Sequence, residues 1–274
     1  LVKEGMRIID ICEAVEEAIR QRGAEPAFPC NVGVNEVAAH YTSPIGDLST
    51  VPEGSLVKVD LGVHVQGYIA DTAVTICFDN ALSDMVMAVE EALDAAISAI
   101  EPGKRVSEIG AVIEQVIEGY GYKPIWNLTG HQLGRYVIHA GVSVPNVSRL
   151  NHGRFEKGKA YAIEPFATTL DGAGEVMNSP NTYIYRFSRR KKVRSSEAAS
   201  MLAEIESRYK TLPFTPRWLV DRFGEEKVET AFRQLVEAKC ITGYPVLVER
   251  KGRKVAQAEH TVIVERGGCY VTTA

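Results

Sequence analysis

The chain has 274 residues, of which 45% are hydrophobic, so it can bury a full core as one large domain or two ordinary ones. Its net charge of −4 supplies no overall basic field, so DNA is not an expected partner. No stretch approaches the ~18 apolar residues of a membrane span, and Leu1–Gly5 begins no targeting pattern. The five cysteines are odd in number and never form a C-x-x-C pair. These features predict a globular, cytoplasmic protein without a disulfide framework.

Most of the chain alternates between helical and extended patterns. Amphipathic helices, each ended by glycine or proline, are predicted over 3–22, 83–100 and 106–120. Short strands rich in β-branched residues are predicted over 55–60, 70–77, 136–138, 159–164 and 260–264. This interleaving of the two patterns indicates a mixed α/β architecture.

From about Phe187 to Arg253 the character of the sequence changes, which indicates an inserted segment. It opens with a basic run and continues with helical patterns over 214–223 and 225–239 and a predicted hairpin over 246–254. Helix, helix and hairpin outline a winged-helix module. Because the whole chain is acidic, we interpret the basic run as a solvated loop of a structural insertion, with nucleic-acid contact as the alternative.

The segment Val57–Ile76 reads as a hairpin that carries two aspartates. If Val65 and Gln66 form its two-residue turn, Asp60 and Asp71 lie directly opposite each other on one face. Two unscreened carboxylates there would repel, and binding of a metal ion removes the repulsion. Hydrogen-bonded or capping aspartates near a strand end are the alternative reading of each residue alone.

Four further residues, two histidines and two glutamates, lie in settings where a charge or an imidazole needs a partner. The glycine-flanked segment Gly130–Gly141 holds His131 and His139, each of which alone is commonly a structural histidine. Glu164 and Glu259 each lie within an apolar strand pattern, where an unpaired charge is costly.

Five of these residues resemble, in order and local context, the metal ligands of the methionine aminopeptidases: Asp60, Asp71, His131, Glu164 and Glu259. The motifs are VDLGVHVQGYIADTA, GHQLGRYVIHAG, YAIEPF and AQAEHTVIV, and the resemblance covers essentially the whole chain. The archaeal-like type II branch is most similar, because it carries a winged-helix-like insertion and a histidine-bearing loop such as Asn35–Tyr41. The resemblance implies the pita-bread fold: an α+β structure with two pseudo-symmetric α/β halves around an antiparallel sheet. The catalytic domain is then 1–186 and 254–274, and the inserted subdomain is 187–253.

The resemblance also implies a mechanism with two divalent ions, which could be cobalt, manganese, iron or zinc. A hydroxide between the ions attacks the first peptide carbonyl, and the substrate's free α-amine takes an open metal position. The implied metal ligands are Asp71 and Glu259 as bridges, Asp60 on one ion, and His131 and Glu164 on the other. Glu164 also moves the proton, while His40 and His139 donate hydrogen bonds to the reacting group.

The implied substrate is the N-terminal methionine of nascent chains, removed by a monomeric enzyme. Phe28, Ile138 and His139 are expected to line the methionine pocket and Tyr244 its entrance, although Phe28 and Ile138 could equally be plain core residues. Eukaryotic members of the family have a further histidine after the Glu164 strand, which Asn178–Tyr183 does not offer. That departure affects the shape of the pocket rather than the chemistry.

Two alternatives remain open at this stage. An aminopeptidase or dipeptidase acting next to proline would share most of the ligands, but His40, His139 and the compact length favour methionine removal. A non-catalytic relative that binds RNA or protein would not need all five ligands, which are intact here. The basic run over 189–194 still allows transient contact with the ribosome as a secondary function.

Overall fold

The computed structural model describes residues 2–274 and confirms the predicted α+β class. The helices are α1 (Ile8–Gln21), α2 (Ser83–Ala99), α3 (Val106–Gly119), α4 (Ser196–Tyr209), α5 (Val220–Phe223) and α6 (Glu225–Glu237). The strands are β1 (Glu25–Pro26), β2 (Asn31–Val34), β3 (Val37–Ala39), β4 (Leu56–Val65), β5 (Tyr68–Cys77), β6 (Lys123–Pro124), β7 (Thr129–Leu133), β8 (Ser143–Pro145), β9 (Ala160–Ile163), β10 (Phe166–Thr168), β11 (Val176–Phe187), β12 (Ile241–Glu249), β13 (Val255–Gln257), β14 (His260–Glu265) and β15 (Gly268–Val271). No helix within the described range has the length and apolarity to cross a membrane.

Two antiparallel sheets carry most of the catalytic-site candidates. In one sheet β4 pairs with β1, β2 and β5, and in the other the order is β15-β14-β9-β7-β8. The sheets meet where Ala73 of β5 and Glu259 exchange two backbone hydrogen bonds, of 3.0 and 3.3 Å. Because this junction joins β5 to the residue preceding β14, side chains from both sheets face one cavity.

Helices cover the outer faces of these sheets. Helices α2 and α3 contribute Leu93 and Ile113 to a fully buried core that also contains Tyr161 of β9 and Val262 of β14. Helix α1 buries its apolar stripe, including Ile11, against the sheet that contains β4. This helical period was predicted correctly, although α1 begins at Ile8 rather than near residue 3.

The β4–β5 hairpin has a different register from the predicted one. Its turn residues are Gln66 and Gly67, with φ of 52° and 87°, because a two-residue hairpin turn of this kind needs positive φ at both positions and glycine adopts it readily. Asp60 is therefore opposite Ala73, and Asp71 is opposite Gly62. The shift equals two residues, so both aspartates still lie on the same face as diagonal neighbours.

Other local predictions were also wrong. Residues 136–138 form a turn in which Tyr136 has φ of 59°, rather than a strand. Helix α4, capped by the Ser195 side chain, was not predicted, and the predicted helix over 214–223 is a 3-10 turn followed by the short α5. In place of the predicted hairpin over 246–254, residues 246–249 are the end of β12, which pairs with β11 and with β3, and residues 250–254 form a turn and irregular backbone.

Candidate metal centre

Five side chains from five neighbouring segments face one cavity of about 200 Å³. Asp60 and Asp71 come from the β4–β5 hairpin, whereas His131 lies in β7, opposite Ala162 of β9. The two glutamates lie at strand ends: Glu164 directly follows β9, and Glu259 directly precedes β14. The sheet junction thus gathers all five predicted ligands, which are separated by up to 199 positions in the sequence.

The distances within the cluster are those of a site that could hold a metal ion. Asp71, His131 and Glu259 each offer a ligand atom, and these atoms lie within 4.8 Å of one another. His131 Nε2 is 3.8 Å from Asp71 Oδ2 and 3.4 Å from Glu164 Oε1. Asp60 lines the same cavity, and its charge contributes to raising the pKa of Asp71.

The electrostatics of the cluster favour the binding of a cation. Burial raises the pKa of Asp60 to about 7, and burial together with neighbouring carboxylates raises the pKa values of Asp71, Glu164 and Glu259 well above their usual range. Burial lowers the pKa of His131 to about 3. Among the described residues that line the cavity, none is lysine or arginine.

Unsatisfied oxygen atoms support the same conclusion. Oδ1 of Asp60 and Oδ1 of Asp71 are buried and have no hydrogen-bond partner in the part of the chain that the structure describes. Buried carboxylate oxygens without partners are costly unless they coordinate a cation. A set of carboxylates with one imidazole suits hard or borderline divalent ions, so these residues fit the implied metal ions.

Residues that the sequence analysis did not identify hold the carboxylates in place. Thr261 Oγ1 accepts from the Asp71 backbone N–H at 2.7 Å, and Thr72 Oγ1 donates to the Glu259 carbonyl at 2.8 Å. Gln257 Nε2 donates to Glu259 Oε2 at 3.4 Å. The spacing of Gln257 and Glu259, two residues apart along extended backbone, was a signal that both face the same side.

The two histidines outside the ligand set lie beside the cluster. The His139 ring is 4.4 Å from the His131 ring, in an edge-to-face arrangement. Burial lowers the pKa of His40 to about 4, and His40 Nδ1 is 3.2 Å from the Pro245 carbonyl oxygen. Because a carbonyl oxygen only accepts, Nδ1 carries the proton, and the neutral ring presents Nε2 as an acceptor rather than as the donor expected from the resemblance.

An apolar wall forms the other side of the cavity. Phe28 and Ile138 pack in one buried cluster with Leu212. The Tyr244 ring lies 5.5 Å from the His40 ring and lines the same cavity. All predicted pocket residues are therefore together. The lining residues that the sequence analysis missed include Asn31, Phe166, Ile184, Pro213 and Leu247.

Comparison with known proteins places the chain in a family. The model of metallopeptidase family M24 matches residues 1–266, so the chain belongs to this family. The methionine aminopeptidase of Methanothermobacter thermautotrophicus is 47% identical over 276 residues, which cover 100% of this chain and 92% of the relative.

Solved structures confirm the pita-bread fold. The structure of a thermophilic Arx1 has a TM-score of 0.82 at 18% identity and covers 99% of this chain and 84% of that one. The methionine aminopeptidase from Rickettsia prowazekii has a TM-score of 0.69 at 18% identity and covers 100% of this chain and 88% of that one. At these identities the similarity concerns the fold alone.

Proposed function

We propose that this metallopeptidase is a methionine aminopeptidase, which removes the initiator methionine from the N-terminus of nascent chains. The observation that carries the proposal is the buried cluster around Asp71, His131 and Glu259, which opens into a cavity with an apolar wall. The identity of 47% with a methionine aminopeptidase over the whole chain supports the same activity.

The proposed metal centre holds two divalent ions of cobalt, manganese, iron or zinc. Asp71 and Glu259, whose carboxylates lie at the sheet junction, would be shared by both ions. Asp60 would be a further ligand of one ion, and His131 with Glu164 would be ligands of the other. When bound, the ions supply Lewis acidity and lower the pKa of a water molecule toward neutrality.

The protein groups around the centre have distinct tasks in this proposal. Glu164 takes a proton from the attacking water and returns it to the leaving amine. Its side chain is suited to this role because it lines the cavity beside the other carboxylates. His139 donates to the carbonyl oxygen as negative charge develops there. His40, whose Nδ1 proton is held by Pro245, offers Nε2 to a peptide N–H.

The apolar wall selects the first side chain of the substrate. Phe28 and Ile138 are each 8% exposed, and with Tyr244 they border the cavity beside the carboxylates. A flexible thioether fits such a surface, and a free α-amine directs cleavage to the first residue. The segment that lacks the eukaryotic histidine belongs to β11, and the next residue on that strand, Ile184, lines the cavity, so this side of the pocket is apolar.

We further propose that residues 187–253 form a subdomain inserted into a catalytic domain of residues 1–186 and 254–274. The helices of this segment have a core of their own around Ile205, Phe214 and Leu235.

The basic run over 189–194 is exposed, apart from partly buried Val193, and carries several positive charges that have no oppositely charged partner among the described residues. This surface suits transient contact with ribosomal RNA by a monomeric, cytoplasmic enzyme. Ribosome sedimentation should then weaken with salt and with replacement of Lys191 and Lys192 by alanine.

The test of the proposed activity compares two peptides with the metal-loaded protein. Release of free methionine from Met-Ala-Ser, without release of residues that precede proline in a control peptide, is the expected result. Glu164→Ala should abolish it because the proton carrier is lost. Cleavage of only the proline peptide would favour a prolidase-type enzyme, and cleavage of neither would favour a non-catalytic binding protein.

A further inference from the structure

Asn31 is a buried amide that the proposed mechanism does not use. It is 5% exposed, lines the catalytic cavity and lies on β2 directly opposite Asp60 of β4. Opposite residues of an antiparallel pair project to the same face with Cβ atoms about 5 Å apart. The Asn31 side chain is therefore a neighbour of the Asp60 carboxylate at the floor of the cavity.

The orientation of this amide is fixed by its backbone neighbour. Asn31 Nδ2 donates to the Pro29 carbonyl oxygen at 3.0 Å. Because that oxygen only accepts, the amide nitrogen must face it and Oδ1 must point the other way. Oδ1 is buried and finds no donor anywhere in the described range of 2–274.

A buried acceptor without a donor is costly, and nothing in the cavity compensates it. An Asp60 that binds a metal ion is ionised and has no proton to donate, and no ammonium or guanidinium group is among the described residues of the cavity wall. An apolar side chain of similar size would fill this space without the penalty. The free oxygen is thus suited to a donor that arrives with the substrate.

We infer that Asn31 Oδ1 accepts a hydrogen bond from the free α-amine of the substrate's first residue and so contributes to selectivity for unblocked N-termini. The inference rests on the proposed aminopeptidase activity. An α-amine beside Asp60 retains N–H donors even when its lone pair binds a metal ion. An acylated nitrogen has only one N–H donor and carries a bulky substituent. Asn31 would therefore bind the amine, while Phe28 and Ile138 bind the side chain.

The experiment measures the binding of two probes by calorimetry to the metal-loaded protein: L-methionine and desamino-methionine, which lacks only the amine. In Asn31→Leu, affinity for L-methionine should fall about tenfold, and affinity for desamino-methionine should not change. Asn31→Ala provides a second variant that fills less space. Asn127→Ala is the matched control, because the Asn127 side chain lines the same cavity but its amide is already paired with both backbone groups of Val176.

Equal loss of affinity for both probes would contradict the inference and assign Asn31 to the shape of the pocket. The inference would also be contradicted if the ratio of the two affinities were the same in Asn31→Leu as in the wild type. Titration of Mn²⁺ into the metal-free variants is a readout independent of activity: unchanged metal affinity is expected, and a loss would instead make Asn31 a support for Asp60. The wild-type protein could bind L-methionine, with the predicted tenfold loss in Asn31→Leu, and yet cleave no Met-Ala-Ser. That result would contradict the proposed function but would support Asn31 as a site for the amine.

Discussion

Glu16 and Arg217 are 201 residues apart in sequence, yet the Arg217 guanidinium donates to both oxygens of the Glu16 carboxylate, at 2.8 and 3.0 Å. Glu16 also accepts from the indole N–H of Trp218 at 2.7 Å. Glu16 is 1% exposed, and the Arg217 side chain is 10% exposed. This buried pair joins the proposed inserted segment to helix α1, and Glu16 also accepts from the backbone N–H of Cys30, the residue before Asn31, at 3.2 Å.

Arg217→Ala should destabilise the protein by about 3–5 kcal/mol, because it leaves the Glu16 carboxylate buried without its closest counterion. Urea unfolding of the purified variant measures this loss. The matched control is Arg233→Ala, which breaks an exposed pair with Glu229 of 3.5 Å and should cost less than about 1 kcal/mol. Similar losses in the two variants would mean that the buried pair does not anchor the segment.

His139→Ala should lower kcat by about a hundredfold to a thousandfold with a much smaller effect on KM, because donors to a developing oxyanion act mainly in the transition state. Steady-state kinetics on Met-Ala-Ser with the metal-loaded protein provide both constants. His152→Ala is the control, since His152 is exposed and is not among the residues lining the cavity. A change confined to KM would remove His139 from the proposed transition-state contacts.

Gly62→Ala should raise KM for a methionine peptide about tenfold, because a Cβ at this position would lie 2.2 Å from Cε1 of Phe28 and push the ring into the cavity. The measurement is a KM comparison at fixed metal loading. Gly119→Ala is a suitable control, as its Cβ would meet nothing within 4 Å. An unaltered KM in Gly62→Ala would show that Phe28 does not form the wall of the methionine pocket.

The stability of the protein should depend on pH through Lys58. This residue is 1% exposed, its ammonium donates to the carbonyls of Asn35 and Val255, and burial lowers its pKa to about 7. The unfolded chain, with a pKa of about 10.4, holds the proton over a range in which the folded protein has lost it. The contribution of Lys58 to stability is therefore fully present above about pH 10.4 and is lost as the pH falls toward 7.

Lys58→Met removes the titrating group and therefore this pH dependence. Denaturant unfolding of both proteins at about pH 7 and about pH 9 should show the wild type gaining stability relative to the variant, by up to about 1.4 kcal/mol per pH unit. A difference that stays constant between the two pH values would contradict the lowered pKa.

The sequence predicted which residues share the cavity better than the geometry that assembles them. Asp60, Asp71, His131, Glu164 and Glu259 were predicted as one set, because carboxylates in apolar strands are conspicuous and their motifs resemble a known family, and all five line one cavity. The register of the β4–β5 hairpin was missed because the turn chemistry of Gly67 was given less weight than strand alternation.

Contacts between distant segments were beyond sequence reasoning. Asn31 and Pro213 line the cavity because of strand pairing and the position of the insertion, neither of which leaves a periodic signal. Helix α4 was missed because its mean hydropathy is close to neutral and the preceding basic run was interpreted as loop. Gln257 could have been found from its spacing to Glu259 along extended backbone.

The central claim is that the buried carboxylate cluster binds metal ions and that these ions are needed to release methionine from the substrate. Its most direct test is release of methionine from Met-Ala-Ser by protein that has been stripped of metal and then reloaded with cobalt or manganese. No release is expected from the stripped protein, whereas reloading should restore release fully in the wild type and in Asp10→Asn, whose carboxylate is exposed on α1, and should not restore it in Asp71→Asn. Methionine release that survives removal of the metal, or that recovers fully in Asp71→Asn, would show that the cluster is not the metal centre.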